Sequence, residues 1–145
     1  MRHIPQMLVV MTPFPHHIDA GASLTEARAM MEEHNIRHLP IFGDGDIIGI
    51  ISEDDLERVR MPGHPLRDET ELKVGDLCTH EPYFVDVSDP LDRVLDAMAE
   101  QRIDSALVLR EGELAGVFTA ADAYRLLAHT LREQFPPPTP GTEAA

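Results

Sequence analysis

The chain has no apolar run long enough to cross a bilayer, no cluster of lysines and arginines, and a single cysteine. The first absence rules out a membrane-spanning helix, which needs about 20 consecutive apolar residues. The apolar stretch at residues 7–11 is too short for the core of a secretory leader, and no small-residue cleavage site follows it. A soluble, cytoplasmic protein is the expectation. With 12 Lys and Arg against 26 Asp and Glu, the formal net charge is −14. Such a surface repels a phosphodiester backbone, so nucleic acid is disfavoured as a partner. Also missing are a nucleophile elbow, a Walker-type phosphate loop, a dinucleotide glycine fingerprint and a Cys-His pair at catalytic spacing, which points away from an enzyme.

What the chain does have is a repeat. Gly49-Ile50-Ile51-Ser52-Glu53-Asp54-Asp55 returns as Gly116-Val117-Phe118-Thr119-Ala120-Ala121-Asp122, an offset of 116 − 49 = 67 residues. Without a gap, the same offset aligns Thr12 with Thr79, Pro15 with Pro82, Asp19 with Asp86, Leu24 with Leu91, Met31 with Met98 and Gly45 with Gly112. Cys78 falls opposite Met11, which predicts an apolar packing role for the thiol. Each copy is too short to bury much core alone, so two like halves packed together are expected, and their junction makes paired clefts.

Each copy reads β-α-β-β-α, an α/β (α+β) unit with a small sheet. An extended entry (14–18, then 83–87) leads to a helix, marked by the capping-box spacing Ser23-Leu24-Thr25-Glu26 in the first copy and by Ser88-Asp89-Pro90 in the second. Leu24, Ala27 and Met31, and Leu91, Val94, Leu95 and Met98, recur at helical spacing and predict core. Two strands follow, 39–42 with 47–51 and 106–109 with 114–118, around turns rich in Gly, Asp and Glu that suit a hairpin. Ser52 and Thr119 stand where an N-cap belongs, ahead of helices over 53–60 and from 120 to about 133. The division is copy one at 7–60, a Pro- and Gly-bearing connection at 61–72, copy two at 73–132, and a proline-rich tail at 136–145 expected to be unpacked.

The chemistry concentrates at the two helix starts. A hydroxyl and a carboxylate three residues apart, Ser52 with Asp55 and Thr119 with Asp122, face the end where backbone N–H groups lack partners. Those N–H groups suit an anionic or neutral acceptor, and the carboxylate suits two vicinal hydroxyls such as those of a ribose. Gly49 and Gly116 allow another chain segment or a flat ring close to the strand. A nucleoside meets all these requirements. Taken singly, Ser-x-x-Asp is also an ordinary helix cap; its duplication in register is what favours the binding reading.

These residues make the chain resemble a known family, the cystathionine-β-synthase (CBS) domain pair or Bateman module. The resemblance covers about residues 7 to 132 and rests on Val10-Met11-Thr12-Pro13, on Arg37-His38-Leu39-Pro40-Ile41, and on the two Gly-x-x-[Ser/Thr]-x-x-Asp motifs. It implies tandem CBS repeats packed as one pseudo-two-fold module, often a homodimer of such pairs, which regulates an effector protein by binding adenosine derivatives such as AMP, ADP or ATP between the copies. It further implies that Asp55 and Asp122 hold ribose hydroxyls and that Ser52 and Thr119 face phosphate or ribose oxygens. Ile18, Leu39 and Pro40, and Val85, Ala106 and Leu107, would line an adenine slot that Thr12 and Thr79 close. Arg37 and His38 would meet phosphates, with His17 at the cleft edge.

Copy two departs from this pattern: Asp104, Ser105 and Leu107 replace Arg37, His38 and Pro40. The expectation is therefore unequal clefts, with AMP, ADP or ATP in the cleft of copy one and a phosphate-free S-adenosyl compound, or nothing, in that of copy two. No cofactor is required, although a divalent cation such as Mg beside bound phosphates would offset the acidic charge. His16, His17, His34 and His38 show no familiar ligand spacing, so no metal site is expected. The competing reading is a structural or partner-binding module of little ligand affinity.

Overall fold

The computed structural model describes residues 3–60, 71–78 and 81–138. Thr79 and most of the connection expected at 61–72 lie outside the described residues, as does the tail beyond Pro138; Pro136 to Pro138 are exposed and irregular.

The element order is α1 (Met7–Val10), β1 (Thr12–Pro13), β2 (Ile18–Asp19), α2 (Leu24–His34), β3 (His38–Gly43), β4 (Asp46–Ser52), α3 (Glu53–Val59), a 3-10 turn (Val74–Leu77), β5 (Phe84–Asp86), α4 (Leu91–Gln101), β6 (Ser105–Arg110), β7 (Glu113–Thr119) and α5 (Ala120–Gln134). Two sheets result, one of order β2-β3-β4 and one of order β1-β7-β6-β5. The doubled hairpins form as expected. Asp44 and Gly45, and 67 residues later Glu111 and Gly112, take the left-handed conformation that a tight hairpin turn demands. Ser23 caps α2 by accepting from the Glu26 N–H. Copy two differs: Pro90 is the N-cap of α4 and offers no side-chain bond. The oxygens of Ser88 and Asp89 are engaged instead in the turn at Asp86, where the Asp86 N–H donates to Asp89 and the Ser88 hydroxyl donates to Asp86.

The two cores are separate, and each is completed by the other copy's entry segment. Ile18, Leu24, Ala27, Met31, Leu39, Ile41, Ile51 and Leu56 form the first, joined by Val74 from the far side of the chain. Val85, Leu91, Val94, Met98, Ala106, Val108 and Phe118 form the second, joined by Met7. Backbone bonds fix this exchange: Met7 and Leu8 N–H donate to Asp89 and Val87, and Val74 and Gly75 N–H donate to Ala22 and Ala20. β1 pairs antiparallel with β7, setting Thr12 opposite Val117 and Pro13 opposite Gly116.

The glycines make the exchange sterically possible. A Cβ on Gly116 would lie 2.4 Å from Met11 Sδ and 2.8 Å from the Thr12 carbonyl, and one on Gly49 would lie 1.8 Å from Cys78 Sγ. The close approach expected at these two glycines is thus made by chain segments, and Met11 and Cys78 are repeat mates. Cys78 is half-buried, and burial followed by the nearby Asp55 charge holds its thiol pKa above the ordinary value.

Candidate functional site

Strand alternation decides which residues reach the junction. On β3, Leu39 and Ile41 face the first core, so His38 and Pro40 face the opposite side, toward the other copy. On β6, Ala106 and Val108 face the second core, so Ser105 and Leu107 face the junction. Two clefts open there, related by the repeat. One, of about 510 Å³, is lined by Thr12, Asn35, Ile36, Arg37, His38, Val117, Thr119, Ala121, Asp122 and Arg125. The other, of about 380 Å³, includes His38, Ile50, Ser52, Asp55, Arg58, Tyr83, Arg102, Asp104 and Ser105, with Asp54 and Glu81 at its wall.

Both helix starts are complete reciprocal caps. The Ser52 N–H donates to Asp55 Oδ2 at 2.8 Å and the Asp55 N–H to Ser52 Oγ at 3.1 Å. The Thr119 N–H donates to Asp122 Oδ2 at 2.8 Å, and its hydroxyl does so at 3.0 Å. The second carboxylate oxygen is met by an arginine one turn on, Arg58 to Asp55 at 3.2 Å and Arg125 to Asp122 at 3.1 Å. The aspartate side chains keep 30% and 22% exposure and line the clefts. Each carboxylate thus caps its helix and pairs with an arginine while part of it stays exposed to the cleft.

The structure sorts the expected site residues unevenly. Thr12, Arg37, His38, Thr119 and Asp122 meet in the larger cleft, and Ser52, Asp55, Ser105 and again His38 in the smaller. Arg37 therefore shares a cavity with Asp122, whereas Asp104 shares one with Asp55. The two residues thus lie opposite to the expected placement: Arg37 lines the cavity of copy two's carboxylate, and Asp104 that of copy one's. The reason is topological, since the residue just ahead of β3 or β6 lines the cavity at the other copy's helix start. Backbone bonds also tie each of these residues to its own helix start, Glu53 N–H to the Arg37 carbonyl at 2.8 Å and Ala120 N–H to the Asp104 carbonyl at 2.9 Å.

Ile18, Leu39, Val85 and Ala106, expected to line an adenine slot, are buried in the two cores and line neither cleft, because their strand positions turn them away from the junction. Pro40 and Leu107 lie on the junction face but are fully buried and line neither cleft. His17 is not at a cleft edge; its ring tilts onto Phe42 at 4.8 Å, while His16 stacks on His34 at 3.6 Å. Among the described residues no group of three or more His, Cys, Asp or Glu is placed to hold a metal ion, and no helix is long and apolar enough to cross a membrane. The expectations missed Asn35, Tyr83, Arg58, Arg102 and Arg125. The arginines at 58 and 125 were findable, since each stands three residues after its aspartate and 67 from the other.

Comparison with known proteins agrees with this architecture. The CBS domain family model matches residues 8–61 and 74–129. Hypoxic response protein 1 of Mycobacterium tuberculosis is 31% identical over 114 residues, 78% of this chain and 78% of that protein. A CBS domain pair crystallised with 5′-methylthioadenosine and S-adenosyl-L-methionine superposes with TM-score 0.77 at 22% identity, covering 88% of this chain and 99% of that one. The CBS domain of a bacterial CNNM/CorC family Mg2+ transporter in complex with ATP gives TM-score 0.72 at 23% identity, over 86% and 87% of the two chains. These two structural likenesses carry the fold alone. With both repeats matched over most of its length, the chain belongs to the CBS domain family.

Proposed function

We propose that this protein is a ligand-sensing regulatory module that takes an adenine nucleotide in the larger cleft, between Asp122 and Arg37. The observation that carries the reading is the meeting there, from two copies, of the chemistries a nucleotide requires. Asp122 presents a carboxylate for ribose hydroxyls, and Arg37, Arg125 and His38 offer positive or hydrogen-bonding groups for phosphate. The volume suits a ligand of nucleotide size. The smaller cleft sets Asp54, Asp55, Glu81 and Asp104 against Arg58 and Arg102. Its acidic excess disfavours phosphate and suits an adenosyl ligand without it, or one with a cationic group. Similar CBS modules crystallised with ATP and with S-adenosyl-L-methionine make both ligand classes reasonable probes.

Signalling requires that the ligand bind two states of the junction unequally. A second copy and an effector protein are the partners this reading needs. α5 leaves Tyr124, Leu127 and Leu131 exposed, as is Phe135 just after it, and light scattering tests whether a dimer covers them.

Thermal unfolding with AMP, ATP, S-adenosylmethionine and adenosine is the test of binding. A ligand at a hundred times its dissociation constant adds about 2.7 kcal/mol to stability. No shift with any of the four would favour the structural reading instead.

A further inference from the structure

His38 belongs to both clefts at once. Its side chain is 16% exposed, and its Nε2 is buried with no hydrogen-bond partner. The nearest charge is Asp104 Oδ2, across the junction, at 3.7 Å. That is too long for a hydrogen bond. The ring therefore stands between two possible acceptors, the Asp104 carboxylate on one side and the contents of the Asp122 cleft on the other. Both ends of the pair are wired to a helix start. The residue before His38 accepts from Glu53 N–H at the head of α3, and Asp104 accepts from Ala120 N–H at the head of α5.

Resting on the functional reading above, we propose that His38 and Asp104 form a gate that couples the occupancy of the two clefts. A phosphate in the Asp122 cleft gives Nε2 the acceptor it lacks and draws the ring off Asp104. The Asp104 carboxylate then loses the ring beside it and is left to face the smaller cleft with Asp54, Asp55 and Glu81. A second phosphorylated ligand is rejected there, and a ligand carrying positive charge, such as the sulfonium of an S-adenosyl compound, is favoured. By linkage, the second ligand tightens the first by the same factor.

The test is a ratio of affinities. S-adenosylmethionine is titrated calorimetrically without AMP and with AMP held at the level that fills one site per chain. This is done for the unaltered protein, for His38→Gln and for Asp104→Asn. The unaltered protein is expected to bind S-adenosylmethionine at least about fivefold more tightly when AMP is present, the lower end of ordinary coupling. The ratio is expected to fall to near one in both variants, whatever each does to a single-site affinity. Asp104 is largely exposed, so Asp104→Asn keeps the comparison available even where the half-buried His38→Gln unfolds. Equal ratios in the three proteins, or a ratio of one in the unaltered protein, would overturn the gate while leaving the binding reading intact. Failure of both ligands to bind would overturn the binding reading and the gate with it.

Discussion

Gly49→Ala puts the crossed arrangement of the two copies under direct test. The glycine lies in β4 outside the left-handed region, so alanine suits its backbone. The difficulty is the sulfur of Cys78, 1.8 Å from the new Cβ, where ordinary contact begins near 3.4 Å. The thiol must retreat by about 3.4 − 1.8 = 1.6 Å, giving up its 3.4 Å bond to the Ile48 carbonyl and pressing on the first core. Overpacking of this kind costs about 1–3 kcal/mol, offset by about 0.4–1 kcal/mol from the stiffer unfolded chain, for a net loss of about 1–2 kcal/mol. In a chain of this size that lowers Tm by roughly 2–8 °C. In a Cys78→Ala background the nearest remaining atom is the residue 78 Cβ at 3.5 Å, ordinary contact, so the same substitution should be neutral or slightly stabilising. Urea and thermal unfolding of the four proteins closes the cycle, with an expected coupling of about 1–2 kcal/mol. An identical loss with and without the sulfur would refute the claim that copy two's entry segment lies against copy one's strand.

The other predictions concern the clefts and the thiol. Asp122→Asn should weaken AMP binding about tenfold to a hundredfold by removing a charged acceptor of ribose hydroxyls, and Asp55→Asn should weaken it far less; calorimetry compares them. Arg37→Ala should cost AMP about two- to fivefold and adenosine nothing, with the difference shrinking as salt is added, because the guanidinium is well exposed and already 3.6 Å from Glu53. Burial raises the Cys78 thiol pKa, so the folded protein holds that proton more tightly than the unfolded chain. The associated stability is complete below the ordinary thiol value and is lost as pH rises through the raised one. Between pH 8 and 10 the protein should therefore lose more Tm than its Cys78→Ala variant, and parallel curves would contradict the assignment.

Much of the fold was legible because the chain states it twice. The 67-residue register located both hairpin turns, both capped helices after β4 and β7 and both core stripes, since each is written in local spacing and turn chemistry. What local pattern could not disclose was which half each piece serves. Met7 and Val74 look like members of their own copies, yet each is fully buried in the other's core. The exchange depends on pairings such as Thr12 with Val117, separated by most of the chain. For the same reason Arg37, expected in the cleft of copy one, lines the cavity of Asp122. Neighbours in sequence share a strand, but a cleft at a two-fold junction takes its walls from opposite copies. The residues expected in an adenine slot show a second limit of sequence pattern: on a strand with one face in the core, every second side chain is turned away from the junction, and Leu39 and Ala106 are on that face.

The most direct measurement is a crystal structure of the protein grown with AMP. The account predicts ribose hydroxyls donating to Asp122 and phosphate within reach of Arg37 and His38, in the larger cleft. AMP seated instead beside Asp55 and Asp104, or a crystal from saturating AMP with neither cleft filled, would contradict it.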